Sequence, residues 1–206
     1  MKLWTIQERS FVEANSMHPI VADWVKTPPN WRSWYAWMTQ QWNTRVGMGT
    51  LTAPVWCWHS CNGRHQSCPT VGTLAMLMGD WNYYSPKMIV IECNIPDHLV
   101  LLSSYSRWNE AIDDAMDRKS DSIDGKRFDN MFDTPLFKHD SDDIQAVVPY
   151  IDQDCITARW SLPQVDSTEL DWRMPCTSFP KMPEQRVATE HSISRLGNGC
   201  STPRAR

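Results

Sequence analysis

Six consecutive residues, Met88-Ile89-Val90-Ile91-Glu92-Cys93, limit what this chain can fold into. The run is short, nearly continuous in apolar character and rich in β-branched residues, the profile of a strand buried on both faces. Such a strand needs neighbours on either side and layers above and below it, so the chain is committed to a central sheet. Further strands are readable around it. Lys2–Gln7 is a first strand, and Ala53–Gly63, which holds Trp56, Cys57, Trp58, His59 and Cys61 before an Asn-Gly turn signal, is a second. His98–Leu102 continues extended, and Asp143–Pro149 and Cys155–Trp160 are late strands.

Helices fall between them. Pro28-Pro29-Asn30 breaks the chain and offers a cap. Trp31, Trp34, Tyr35, Met38 and Trp42 then lie on one helical face, which Gly47 and Gly49 terminate. Glu8–Asn15 and Pro69–Met78 are short helical candidates. Asn82–Pro86 reads as a break. Ser104 or Ser106 can cap a helix to about Met116, with Trp108, Ile112 and Met116 at intervals of four. Asp113–Asp143 carries ten Asp against five Lys or Arg and reads as a solvated linker. Within it, Phe128, Met131, Phe132, Leu136 and Phe137 form one apolar piece that docks back. Strands first, middle and last without regular βαβ alternation predict an α+β fold, a single mixed domain with a mostly antiparallel sheet flanked by helices. The core domain spans residues 1–160, followed by a proline-rich, irregular extension over 161–206.

At 206 residues the chain can bury a substantial core. Its formal net charge of −4 argues against general nucleic-acid binding, which needs a basic face. No run reaches the roughly 18 apolar residues of a membrane span, and the N-terminus turns polar too early for a signal peptide. The expected location is the cytoplasm. Seven cysteines are then thiols or metal ligands.

The twelve tryptophans raise the question of function. Strand alternation puts Trp56, Trp58 and Ser60 on one face and Cys57, His59 and Cys61 on the other. Two indoles on one face are either core or a platform for a planar ligand. Glu92 is either on a solvent face or in a cleft with a chemical task, because carboxylates are rarely buried without a partner. Gln145, at the start of a late strand, is a neutral hydrogen-bonding group of the same kind. Cys57, His59, Cys61, His65 and Cys68 are the right residue types for zinc. However, Cys57 and Cys61 sit about 13 Å apart along a strand at roughly 3.3 Å per residue, and the spacing lacks a C-x2-C knuckle. No bound metal is expected. Nothing in the order of the Cys and His residues singles out a nucleophilic thiol. Walker, G-x-G-x-x-G, G-x-S-x-G and H-E-x-x-H motifs are absent.

Leu3-Trp4-Thr5-Ile6-Gln7, Tyr35-x-Trp37-Met38, Pro54–Trp58, Ile89–Glu92 with Ile95-Pro96, Val100–Ser103 with Trp108, and Asp143–Gln145 with Ile156 occur in order over residues 1–160. Together they resemble a bacterial and phage family known only as a domain of unknown function. The chain departs from that pattern after Asn62, where Pro69-Thr70-Val71-Gly72 replaces a Pro-Asp-Leu-Arg segment. The layout is in turn distantly similar to NAD-consuming ADP-ribosyltransferases of the DNA-targeting toxin type. There a first strand carries an aromatic-Thr element and a late strand the carboxylate. The resemblance implies NAD as cofactor and transfer of ADP-ribose to a protein or nucleic-acid target. Glu92 and Gln145 become the catalytic candidates, with Glu92 supplying the charge that an amide cannot give an oxocarbenium-like ribose. Trp4, Thr5, Gln7, Trp56, Trp58 and Arg64 become the cofactor-binding candidates, around a cleft between the first strand and the tryptophan strand. The rival expectation is a non-enzymatic inhibitor or adaptor, a phage or mobile-element accessory that docks a protein through exposed aromatics and the C-terminal extension.

Overall fold

A computed structural model describes residues 1–62, 67–133 and 143–183. Six strands, β1 (Lys2–Glu8), β2 (Val55–Ser60), β3 (Met88–Asn94), β4 (Leu101–Ser104), β5 (Ile144–Val148) and β6 (Ile156–Ser161), form one sheet in the order β4-β5-β2-β1-β3-β6. Every neighbouring pair is antiparallel. The helices are α1 (Arg9–Ala14), α2 (Arg32–Val46), α3 (Val71–Met78), α4 (Trp81–Tyr84), α5 (Tyr105–Asp117) and α6 (Gly125–Phe128). The protein is therefore an α+β domain. β3 is interior to the sheet, paired along its length with β1 and on its other side with β6.

The local causes are identifiable. Gly47, at φ 77°, closes α2 with its N–H on Asn43 O, a left-handed cap that glycine adopts without a Cβ penalty. Thr70, Asp80 and Ser104 cap α3, α4 and α5 by accepting from Thr73, Tyr83 and Arg107 N–H. The Asp80 cap and the burial of Trp81 make a helical turn where the sequence reads as a break. In α5 the buried residues are Trp108, Ala111, Ile112 and Ala115, while Met116 is 47% exposed. A spacing of four drifts: two such steps leave a residue about 80° off the stripe, whereas seven positions leave it only about 20° off. The acidic stretch is folded as far as the structure describes it. Asp114 is paired with both Arg118 and Arg127, Asp124 caps α6, and Phe128 and Met131 are buried. Leu136 and Phe137 lie outside the described residues.

Two apolar clusters build the interior. The larger joins Trp34, Met38 and Trp42 of α2 and Trp108 and Ile112 of α5 to Leu101, Val147, Ile89 and Ile91 of the sheet. The smaller joins Val71, Leu74 and Trp81 of α3 and α4 to Trp4, Val90 and Trp160. Leu162, Cys176 and Phe179 also belong to the smaller cluster. Residues 161–183, the described part of the extension, carry the 3-10 turns Ser167–Glu169 and Cys176–Ser178 and pack onto the domain. Ser161 and Met182 N–H donate to Pro180 and Arg159 O, which lays residues 180–182 along the outer edge of β6.

Candidate functional site

β1 pairs with β3 from end to end but with β2 only at Trp4–Trp58. Beyond that pair β1 and β2 diverge. The Thr5 hydroxyl spans the gap, donating to Trp56 O at 2.7 Å and accepting from Gln7 Nε2 at 2.8 Å. Two adjoining cavities open there and share Ile6, Pro28, Tyr35 and Trp56 in their walls. The inner cavity, about 370 Å³, is walled by the rings of Trp31, Tyr35, Trp56, Trp58, Tyr105 and Trp108, with the amides of Asn109 and Gln145 among them. The outer cavity, about 480 Å³, adds Gln7 and Phe11 and the charged groups Glu8, Asp23 and Lys26.

The aromatic walls brace one another. Trp56 packs on Tyr35 and Trp108 with ring centroids 5.3 and 5.1 Å apart, and Trp58 meets Tyr105 edge-on at 4.9 Å, favourable geometries for π systems. Gln145 is buried and donates from Nε2 to Ser103 Oγ at 3.1 Å. Burial pushes the Tyr35 phenol up, so it stays a neutral donor and acceptor. The inner cavity suits a flat, uncharged heterocycle with a polar edge, and the outer one offers a cation, Lys26, just beyond it.

The register also places the remaining candidates. Ser103, Gln145, Trp58, Trp4, Glu92 and Ala158 stand opposite one another in turn across all six strands. Gln145, Trp58, Trp4 and Glu92 therefore share one face of the sheet. Three strand spacings separate Gln145 from Glu92, about 14 Å, too far for both to act on one atom. Glu92 lies outside the cavity walls: its carboxylate accepts from Thr157 Oγ1 at 2.9 Å and sits 3.6 Å from Lys2 Nζ. A bulge between Glu92 and Cys93 brings Thr157 to it. Trp4 is buried under α3 and α4. Thr5, one residue on, projects to the other face, and Arg64 lies outside the described residues. A second bulge, between Trp58 and Ser60, pairs Ser60 with Ile144. Ser60 thereby leaves the Trp56–Trp58 face that strict alternation assigns it.

The cysteines divide. Cys57 is buried beside Cys93, whose hydrogen bond, with burial, pushes its thiol well up. Cys61 and Cys68 line a separate cavity of about 260 Å³ with Trp172 and Arg173. His65 lies outside the described residues, among which no group of three or more Cys, His, Asp or Glu is placed to hold a metal ion. Of the twelve tryptophans, Trp172 alone is exposed, so these rings do not form the broad outward patch that protein docking through them requires. Among the described residues no helix is long and apolar enough to cross a membrane. Tyr105, Trp31 and Asn109 join the inner wall from α5 and the segment before α2. Sequence reading missed their role because it depends on which helix faces land over β2.

A family model described as a domain of unknown function (DUF3841) matches residues 2–160. No curated protein and no solved structure matches the chain significantly.

Proposed function

The chain belongs to the family described as a domain of unknown function (DUF3841), and we propose that it binds a nucleotide between β1 and β2, with NAD the first candidate. The observation that carries the reading is the inner wall: six aromatic rings and two side-chain amides around a space the size of one heterocycle with its sugar. Stacking of a base on aromatic side chains is worth on the order of 1–3 kcal/mol. Asn109 and Gln145 offer the donors and acceptors that a nicotinamide carboxamide or an adenine edge requires. A pyrophosphate extending into the outer cavity meets Lys26.

The likeness to ADP-ribosyltransferases adds a transfer step to this reading. Such a step needs a carboxylate beside the ribose, and the acids nearest the ligand path are Glu8 and Asp23 in the outer cavity. Glu92 is held by Thr157 and Lys2 outside it. The geometry therefore favours binding over transfer, as a nucleotide sensor or sequestering protein.

The test is calorimetric titration with NAD, repeated with Trp56→Ala and Glu92→Gln. The expectation is binding weakened roughly 5- to 150-fold by Trp56→Ala, the stacking energy expressed as an affinity ratio, and unchanged by Glu92→Gln. Nicotinamide release is followed in parallel, and its appearance restores the transferase reading. No heat and no thermal shift at millimolar NAD sinks the nucleotide assignment.

A further inference from the structure

The loop after β2 and the segment around residue 175 meet in an arrangement that nucleotide binding does not use. Thr70 and Pro175 form an antiparallel bridge. Cys176 N–H donates to Pro69 O at 3.0 Å, and Val71 and Gly72 N–H donate to Met174 and Trp172 O at 2.9 Å. In that register Cys68 faces Thr177 and lies one step diagonal to Cys176. Cys68 Sγ is 3.5 Å from Thr177 Oγ1, and the Cys68 and Cys176 thiols are near enough to shift each other's titration in opposite directions. Cys68 is half-buried and lines the 260 Å³ cavity, which has room for a small polar molecule. Cys176 is fully buried behind it.

We propose that Cys68 and Cys176 form a hydroperoxide-responsive thiol pair, Cys68 attacking the oxidant and Cys176 closing an intramolecular disulfide. The attack needs a thiolate. The Cys176 hydrogen bond, followed by those from Thr177, outweighs partial burial and holds the Cys68 thiol down at about 5. Cys176 is pushed far up, first by its hydrogen bond to Cys68 and then by burial, so it stays protonated. Cys61 is likewise raised, chiefly by burial, and is no competing nucleophile. An accessible, acidified thiol beside a second thiol is the arrangement of redox-responsive cysteines.

The chemistry balances with hydrogen peroxide as oxidant. The Cys68 thiolate attacks one peroxide oxygen; the S–O bond forms, the O–O bond breaks, and hydroxide leaves to take a proton from solvent. Cys68 sulfur is oxidised to a sulfenic acid by two electrons and the peroxide is reduced. Oxidation removes the Cys68 charge that held the Cys176 proton, so Cys176 releases that proton and its thiolate attacks Cys68 sulfur. The S–S bond forms, the S–O bond breaks, and the Cys176 proton departs with the hydroxyl as a second water. The product ties the C-terminal segment covalently to the loop ahead of α3.

The full chain is treated with substoichiometric hydrogen peroxide, blocked with iodoacetamide and peptide-mapped without reduction. The expected result is a monomeric protein lighter by two hydrogens, with Cys68 and Cys176 peptides cross-linked. In Cys176→Ser, dimedone labels Cys68; in Cys68→Ser, both cross-link and label are lost. In the untreated protein Cys68 is the thiol alkylated at pH 6, ahead of the others. A first bridge from Cys68 to Cys61 or Cys200, an intermolecular bridge, or dimedone labelling another cysteine first would overturn the proposal. So would Cys68 alkylation that rises only above pH 8. Should Cys176→Ser fail to fold, the wild-type map and alkylation profile decide alone.

Discussion

The inner cavity depends on a buried amide being held in place, and that dependence can be measured. Gln145 is 4% exposed and Ser103 is fully buried, with 3.1 Å between Nε2 and Oγ. Gln145→Leu removes the donor at nearly constant volume and strands the Ser103 hydroxyl. A stranded buried polar group costs about 1–3 kcal/mol, and the leucine returns about 1 kcal/mol of apolar burial. The net loss is about 0–2 kcal/mol, a fall in Tm of a few degrees in a chain of this size. Ser103→Ala strands the amide in the same way. The double variant strands neither group, so the two changes together cost less than their sum by about 0.5–1.5 kcal/mol. Urea denaturation of the four proteins, followed by tryptophan fluorescence, reads this coupling. If the single-variant losses simply add, the hydrogen bond does not hold Gln145 and the argument for a fixed amide in the wall fails.

Gly47→Ala places a Cβ on a left-handed cap with open space around it, so the cost is conformational alone, about 1 kcal/mol by chemical denaturation. Met116→Lys leaves stability within about 0.5 kcal/mol, whereas Ala115→Lys, on the buried stripe, costs several times that in the same assay. Gly72→Val drives a Cβ against Trp172 O, already 3.0 Å from where a Cβ would stand, and loosens the docked segment; limited trypsin digestion at Arg173 accelerates while the rest of the domain resists. The Cys68 thiol is lower in the folded than in the unfolded chain, so its contribution to stability is complete above the unfolded value near 8.5 and is lost as pH falls through about 5. Cys68→Ser accordingly flattens the fall in stability between pH 8.5 and 5, measured by denaturation at each pH.

The strands were legible because their apolar runs are local signals. β1 begins at Lys2 as read, and β3 occupies the interior position that its composition demands. Two errors of detail have the same origin, a small departure from ideal periodicity. Met116 leaves the α5 stripe because a spacing of four outruns the helical repeat, and Ser60 leaves the Trp58 face because one bulge resets the strand phase. The cleft between the first strand and the tryptophan strand was legible as a pairing of elements, though not its helical wall. Cys176 was invisible beside Cys68 because 107 residues intervene and only the docking of the C-terminal segment brings them together. The Asp-rich stretch misled because its composition reads as solvated, while Asp114 and Asp124 spend their charge on arginine partners and a helix cap.

The two ends of the sheet are both occupied. Residues 180–182 run beside β6, and the 3-10 turn Asp129–Phe132 packs against β4. Open strand edges recruit foreign chains, so these two segments act as stoppers against self-assembly. A recombinant fragment cut after residue 160, where the family resemblance ends, would trim β6 by Ser161 and lose one stopper. It would also uncover the face of Trp160 and Trp4 that Leu162 and Phe179 seal. The useful boundary for producing this protein therefore lies beyond Pro183, and residues 161–183 serve the sheet as a lid on its sticky margin.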